Sequence, residues 1–296
     1  MNNLELIEEY KKFISFEKRL SPSSVKSYLR DINELLKLNN NKELNNYRLE
    51  DIRKNITVLH SQGLGGKSLS RVLSSWRGFF NFLINQHKFK KNPTLGIKAP
   101  KSKKLLPQTL SVDQTLKLID IKDISFLGIR DHAILELFYS SGLRLSELVN
   151  LNYNDINFDD GIISIIGKGN KERVAPIGSF ASIAIKKWLK IRKNISGLES
   201  ENKILFLSKN SKKLTPRAIQ YRLKFWAIKQ GVPENIHPHL LRHSFASHML
   251  QSSQDLRAVQ ELLGHENIST TQIYTHLDFQ HLSKVYDKAH PRAKKK

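Results

Sequence analysis

The chain contains no cysteine among its 296 residues. Disulfides, thiolate metal sites and cysteine nucleophiles are therefore excluded. No apolar run approaches the ~18 residues that a membrane-spanning helix requires. The start, Met1–Glu5, also lacks the basic and apolar regions of a secretory signal peptide. These absences predict a cytoplasmic protein that is not attached to a membrane.

Acidic residues are scarce, since 27 Asp and Glu stand against 49 Lys and Arg, a formal net charge of +22. Such a charge attracts polyanions over roughly a Debye length and is hard to reconcile with an enzyme of small molecules. Nucleic acid is therefore the expected partner. Most of the histidines lie after residue 236, but they lack the carboxylate partners and spacing of a zinc site. No metal or other cofactor is expected.

Length and hydrophobic periodicity predict two domains. In residues 1–91 the apolar positions recur at helical spacing in four segments, which is typical of a helical bundle. In residues 92–108 three prolines and several lysines interrupt that pattern. We interpret this segment as a basic linker. It could be a solvated tether, but the high total charge favours a cationic strap against a phosphate backbone.

Residues 109–296 predict a mainly α domain that includes a small antiparallel β-sheet. Turn residues at Asp159–Gly161 and Gly167–Asn170 separate three short strand patterns, which is typical of a meander. The predicted strands are Ile156–Phe158, Ile162–Ile166 and Arg173–Ile177.

Two arginines in this second domain have the surroundings of an anion site. Arg144 follows Gly142 at a turn before a helix, and Arg242 lies one helical turn after His239. A guanidinium donates two parallel hydrogen bonds to a phosphate and stays protonated at working pH. An isolated arginine is more often a surface ion-pair partner. The leucines that flank both arginines indicate instead that they are held at the edge of a core.

A tyrosine near the end of the chain is a candidate nucleophile. Tyr274 follows Ser269 and Gln272, which have the spacing of a capping box, so a short helix would hold the phenol with little freedom. A core tyrosine with a satisfied hydroxyl is the ordinary alternative. Because a phenol has a pKa near 10, attack requires a base or a cationic surrounding, and His239 could accept the proton.

Two further cations complete the candidate set. Lys168 lies at the tip of the predicted hairpin, where neighbouring Lys171 and Arg173 would lower its pKa and suit it to protonate a leaving group. His265 follows the helix stop at Gly264 and could donate a hydrogen bond to phosphate. A solvated hairpin-tip lysine is the ordinary alternative.

Taken together, these motifs resemble the tyrosine recombinase family, and within it the XerC/XerD branch. The resemblance is dense from about residue 107 to the end and weaker through the first hundred residues, and the ending Val285–Arg292 is more similar to the XerC side. It implies a SAM-like core-binding domain followed by a catalytic domain. It also implies a catalytic arginine, a general-acid lysine, a His-x-x-Arg pair, a second histidine and a tyrosine nucleophile. In that order these are Arg144, Lys168, His239, Arg242, His265 and Tyr274.

The resemblance further implies the reaction and its partners. Tyr274 would form a 3′-phosphotyrosyl bond, and strands would exchange through a Holliday junction without metal or ATP. Double-stranded DNA with short paired, dif-like sites is the expected substrate, bound by a homo- or hetero-tetramer with a XerD-like partner and activated by a DNA translocase. Glu147 would support the site. The amphipathic tail around Leu282 and Tyr286 would dock on a neighbouring protomer, although packing on its own core fits the sequence equally well.

Three alternatives remain open from the sequence. A phage or mobile-element integrase would use the same chemistry, although the chain begins directly with the helical bundle and leaves no room for an additional arm-binding domain. A DNA-binding regulator without catalysis would share the charge and the helices, but would not require Tyr274 and its cationic partners. A relaxing topoisomerase would share the covalent intermediate but would not exchange strands between two sites.

Overall fold

The computed structural model describes residues 2–101, 109–167, 172–195, 197, 201–232, 236–264 and 276–293. The chain forms two compact units, Met1–Leu106 and Pro107–Lys296. Each unit is built around its own apolar core. Within the described part of the chain, no helix is both long enough and apolar enough to cross a bilayer.

The first unit is the helical bundle that the sequence predicts. Pro22 occupies the first turn of its second helix, whose N-cap Ser21 accepts a hydrogen bond from the Ser24 N–H (3.3 Å). A π-helical turn, Phe13–Glu17, extends the first helix, and a 3₁₀ turn, Leu44–Asn46, precedes the third. The helices are α1 (Asn3–Lys12), α2 (Pro22–Leu38), α3 (Leu49–Ser61) and α4 (Gly66–His87).

Helix α4 supplies the centre of the first core. Its aromatic residues Trp76, Phe79 and Phe80 are completely buried. The indole N–H of Trp76 donates to the Asp31 carbonyl oxygen on α2 (2.7 Å), and the buried Asp31 carboxylate pairs with Arg71 of α4. The apolar packing of α2 on α4 is therefore reinforced by a hydrogen bond and an ion pair that fix their register.

The first part of the segment predicted as a linker packs against this unit. The Asn92 side-chain amide donates to the Arg77 carbonyl oxygen (3.2 Å) and to Asn81 Oδ1 (2.7 Å), both on α4. Asn92 Oδ1 accepts from the Thr94 N–H (3.0 Å). Ile97 is buried in the first core. Local polar contacts thus hold residues 92–97 on the bundle, despite their lack of helical periodicity.

The second unit is mainly helical, with one small sheet, so the predicted fold class is confirmed. Several of its helices begin with side-chain caps: Ser111 and Gln114 form a capping box, and the Thr215 side chain before Pro216 accepts from the Ala218 N–H. The elements are α5 (Val112–Ile119), α6 (Phe126–Ser141), α7 (Leu145–Asn150), β1 (Ile156–Asn157), β2 (Ile162–Ile166), β3 (Glu172–Pro176), α8 (Ser179–Arg192), α9 (Pro216–Lys229), α10 (Pro238–Ser253), α11 (Leu256–Leu263) and α12 (His276–Ala289).

The sheet is an antiparallel meander with the order β1-β2-β3. Ile163 pairs with Ala175 and Ile165 with Arg173, and all four side chains are buried because they share the inner face of the sheet. Strand β2 has the predicted bounds, and β3 begins and ends one residue earlier than predicted. The predicted turn at Gly167–Asn170 lies outside the described residues beyond Gly167.

The end of the chain is fastened to α6 by a buried polar network. The Tyr286 hydroxyl of α12 forms a hydrogen bond with Ser140 Oγ (2.8 Å), and His290 stacks on the Tyr286 ring with centroids 4.8 Å apart. His290 Nε2 donates to the Tyr139 carbonyl oxygen (3.0 Å), and its Nδ1 accepts from the Arg292 N–H (3.1 Å). In this single chain the tail therefore packs on its own core, and docking on a second protomer stays a prediction.

This network predicts acid sensitivity. Burial lowers the pKa of His290 to about 3, from 6.5 in the unfolded chain, so protons favour the unfolded state. Protonation of His290 leaves the free energy of unfolding unaffected above pH 6.5. Below that pH it lowers this free energy by up to about 1.4 kcal/mol per pH unit as the pH drops toward 3. Urea unfolding at pH 7.5, 6.5 and 5.5 measures this slope. We expect a shallower slope for His290→Asn and an unchanged one for the exposed His60→Asn; equal slopes for His290→Asn and wild type would contradict the prediction.

Candidate active site

Arg144 is held at the N-terminus of α7 by a carboxylate three residues later. Glu147 Oε2 accepts from the Arg144 backbone N–H (2.7 Å), and Glu147 Oε1 accepts from Arg144 Nη1 (2.8 Å). Helix α6 ends just before, at Gly142, in the left-handed conformation (φ +56°). A Cβ at Gly142 would lie 2.6 Å from a ring carbon of Phe245, so only glycine fits this turn. The turn therefore fixes the backbone position from which the Arg144 side chain extends.

Arg242 reaches the same turn from α10. Its Nη1 donates to the Gly142 carbonyl oxygen (2.5 Å), and its Nη2 donates to the Leu263 carbonyl oxygen (2.6 Å). The next carbonyl, that of Gly264, accepts from Arg144 Nη2 (3.2 Å). The two arginines, about a hundred residues apart in the sequence, are therefore brought together around the turn after α6 and the end of α11.

Arg173 of β3 is a third cation in the cluster. The sequence alone indicates only that it belongs to a basic hairpin beside Lys168. Its Nη2 donates to Glu147 Oε2 (2.9 Å), and its Nη1 donates to the Leu262 carbonyl oxygen (2.7 Å). Its side chain is only 7% exposed. The alternation along β3 was the available signal, because Arg173 shares the inward phase with Ala175.

Among the described residues, the cluster combines three arginines with the Glu147 carboxylate, which pairs with Arg144 and Arg173, so these side chains carry an excess of positive charge. Burial raises the pKa of Glu147, but the charge of Arg173 and the hydrogen bonds and charge of Arg144 outweigh that effect, so its pKa lies below the usual value and it stays ionised. Burial, followed by repulsion from Arg144 and Arg173, lowers the pKa of Arg242 to about 10. Arg242 therefore stays cationic near pH 7, and the cluster is suited to bind an anion.

The end of α11 is enclosed by these arginines. The last carbonyl groups of a helix lack partners within it, and here those of Leu262, Leu263 and Gly264 each accept from a different arginine. Gly264 is left-handed (φ +63°), and a Cβ there would lie 2.6 Å from Arg173 Cδ. The arginine cluster therefore fixes the point at which the chain leaves α11 toward His265.

The remaining predicted residues are placed as follows. His239 lies exposed in the first turn of α10, one turn before Arg242, with its ring centroid 6.4 Å from that of His237. Lys168, His265 and Tyr274 lie outside the described residues. The structure thus brings Arg144, Glu147 and Arg242 together, and places His239 on the same helix as Arg242.

Two family models match the chain. Residues 108–281 match the phage integrase family, and residues 7–87 match the N-terminal SAM-like domain of phage integrases. The first match covers more than half of the sequence and includes the whole arginine cluster. The chain belongs to the phage integrase family. It is a tyrosine site-specific recombinase, and the family predicted from the sequence is confirmed.

Curated relatives and a solved structure agree with this assignment. The recombinase is 50% identical to tyrosine recombinase XerC of Chromobacterium violaceum, over 93% of this chain and 91% of the relative. It is 47% identical to tyrosine recombinase XerC of Escherichia coli O127:H6, over 98% and 97%. A lambda integrase tetramer bound to a Holliday junction has the same fold, with a TM-score of 0.68 and 18% identity over 93% of this chain and 81% of that one.

In the recombinase, Arg144 and Arg242 have N–H donors that no hydrogen bond among the described residues uses. Each Nη atom of a guanidinium carries two N–H groups, and in the hydrogen bonds among described residues each Nη of Arg144 and Arg242 donates once. The Arg144 side chain is 38% exposed, so part of the cluster is open to solvent. Fixed cationic donors of this kind stabilise negative charge that develops during a reaction at phosphorus.

Proposed function

We propose that this recombinase cleaves and rejoins double-stranded DNA at short paired, dif-like sites, and thereby resolves chromosome or plasmid multimers at cell division. The observation that carries the proposal is the arginine cluster, in which Arg144 and Arg242 converge on one place where the described side chains carry a net positive charge. The full-length similarity to proteins named XerC supports the role in multimer resolution.

The cleavage step uses four groups in addition to the two arginines. The Tyr274 oxygen attacks the scissile phosphorus and its proton passes to His239, while Arg144 and Arg242 stabilise the charge on the non-bridging oxygens. The bond from phosphorus to the 5′ oxygen breaks as the phosphotyrosyl bond forms. Lys168 protonates the departing 5′ oxygen, and His265 donates a hydrogen bond to the phosphate.

Rejoining reverses these steps. The 5′-hydroxyl of a second strand attacks the phosphotyrosyl phosphorus, and the tyrosine oxygen leaves and recovers a proton. The number of phosphodiester bonds is the same before and after, so no ATP is required, and the arginine pair supplies the positive charge that a metal ion provides in other phosphoryl-transfer enzymes. Two such exchanges pass through a Holliday junction and leave recombined duplexes.

The assembly and its location are part of the proposal. We infer that residues 1–91 act as a core-binding domain, residues 92–108 as a basic linker and residues 109–296 as the catalytic domain. The net charge of +22 supports DNA as the partner, and the fold shared with a lambda integrase tetramer on a Holliday junction supports a tetramer. The second subunit type would be a XerD-like recombinase, activated by a DNA translocase in the cytoplasm.

Trapping the covalent intermediate tests this proposal. Purified protein is incubated with a nicked library of genomic DNA, in which the released 5′ fragment diffuses away, and the DNA attached to protein is sequenced. We expect one enriched site with protein joined to a 3′ phosphate at Tyr274, identified by mass spectrometry. Enrichment of mobile-element ends would instead assign the protein to the integrases, and the absence of any adduct would support a non-catalytic regulator.

A two-site assay separates recombination from relaxation. A plasmid that carries two copies of the enriched site in direct repeat, incubated with the protein and with a XerD-like recombinase, is expected to yield two smaller circles. A topoisomerase would change only the linking number of the plasmid. Relaxation without exchanged products would contradict the proposal.

A further inference from the structure

Arg173 is a buried cation in the cluster for which the cleavage steps above have no role. It lies on the inner face of β3, opposite Ile165 of β2, with only 7% of its side chain exposed. Its two Nη atoms point to protein groups, the Glu147 carboxylate (2.9 Å) and the Leu262 carbonyl oxygen (2.7 Å).

Both of these groups belong to the parts of the protein that hold Arg144 and Arg242 in place. Glu147 holds the backbone N–H and the Nη1 atom of Arg144. Leu262 belongs to the end of α11, whose next two carbonyls accept from Arg242 and Arg144. Arg173 is therefore linked to Arg144 through Glu147, and to Arg242 through the adjacent carbonyl groups at the end of α11. Its single side chain joins β3, α7 and α11.

The arrangement is costly for a purely structural contact. Burying an ion pair commonly contributes no more stability than well-packed apolar side chains would. Here a third cation is also brought close to two others, which repel it. An enzyme gains from such an arrangement if the rigid geometry of the other two cations is what the reaction requires.

We propose that Arg173 is a positioning residue for strand cleavage, which holds Glu147 and the end of α11 so that Arg144 and Arg242 are correctly placed on the scissile phosphate. This inference rests on the proposed function. An arginine is required because its planar fork donates in two directions, to a carboxylate and to a helix end. A lysine has one ammonium group, and would hold one support at the expense of the other.

The first test compares cleavage rates. Arg173→Gln and Arg173→Lys are assayed for single-turnover adduct formation on a nicked duplex that carries the enriched site. We expect Arg173→Gln to cleave about 100-fold more slowly, as a shift of about 1 Å in positioning groups would cause, with unchanged affinity for duplex. Arg173→Lys should fall between Arg173→Gln and wild type. Native rates for both variants would overturn the proposal.

Arg192 offers a matched control within the same unit. It is also buried, and it donates to two carbonyl oxygens, those of Ile204 (2.9 Å) and Asn202 (2.6 Å). These contacts join α8 to residues 202–204 and involve no residue of the arginine cluster. Arg192→Gln is expected to lower the free energy of unfolding while the folded protein cleaves at the wild-type rate.

A modified substrate distinguishes positioning from loss of structure. A methylphosphonate at the scissile position replaces one non-bridging oxygen with methyl, so less charge develops there and the arginine pair matters less. We expect the deficit of Arg173→Gln relative to wild type to shrink from about 100-fold to under about 10-fold. An equal deficit on both substrates would show a merely structural role and refute the inference. If wild type itself forms no adduct on the phosphate substrate, the proposed function fails instead.

Discussion

Tyr274→Phe is expected to abolish covalent attachment to DNA while leaving affinity for the duplex intact. The substitution removes one oxygen atom, which is the atom proposed to bond to phosphorus, and keeps the ring. No other group in the proposed mechanism forms a covalent bond with DNA. The loss should therefore be complete, whereas the removal of a stabilising cation would only slow the reaction.

Denaturing electrophoresis of the protein with a labelled nicked substrate measures the adduct, and a protease digest confirms that the shifted band contains protein. Gel shift under native conditions measures the affinity. Tyr221→Phe is a suitable control, since Tyr221 is an exposed tyrosine on α9, and it should form adduct at the wild-type level. An adduct yield from Tyr274→Phe that equals wild type would mean that another residue is the nucleophile.

Arg144→Ala and Arg242→Ala are each expected to slow cleavage by ~10²- to 10³-fold, the usual cost of removing one donor that stabilises a developing oxyanion. Affinity for DNA should change much less, because many other basic residues contact the phosphate backbone in the proposed complex. Single-turnover rates with protein in excess over the nicked duplex check this prediction.

The two variants should differ in stability. Arg242 is buried and satisfies the carbonyl oxygens of Gly142 and Leu263, so its loss leaves buried acceptors without partners, at about 1 to 3 kcal/mol each. Arg144 is partly exposed, and its loss should destabilise less. Arg257→Ala, at an exposed position on α11, is the matched control and should cleave normally. A native cleavage rate for Arg144→Ala or Arg242→Ala would show that its assigned role is wrong.

Much of the fold follows from local signals in the sequence. Strand β2 has the predicted bounds because turn residues flank its apolar alternation in the sequence. The π-helical turn Phe13–Glu17 could not be predicted, because it is defined by backbone hydrogen bonds that span five residues instead of four, and a single such turn leaves no clear pattern of side chains. The packing of residues 92–97 on α4 depends on side-chain contacts that periodicity does not report.

The residues of the candidate site likewise fall into those that the sequence indicates and those that it does not. The sequence identifies Arg144 and Arg242 because motifs with a helical turn and flanking leucines surround them, whereas Glu147 is expected only from the family resemblance. Arg173 resembled a solvated residue of a basic hairpin, since its neighbours in the sequence are charged. Its burial results from β3, α7 and α11 meeting in space, and no local pattern contains that information. The roles of Lys168, His265 and Tyr274 stay predictions.

Three guanidinium groups bind the carbonyl groups at the end of α11, so the arginine cluster can form only if that helix has its present length. One inserted residue would rotate everything beyond it by about 100° and advance it by about 1.5 Å. All three carbonyl contacts would then be lost at once, and the left-handed turn at Gly264 would be displaced. We therefore expect the protein to tolerate substitutions of exposed side chains between Asp255 and Gly264, but not the insertion of a residue there.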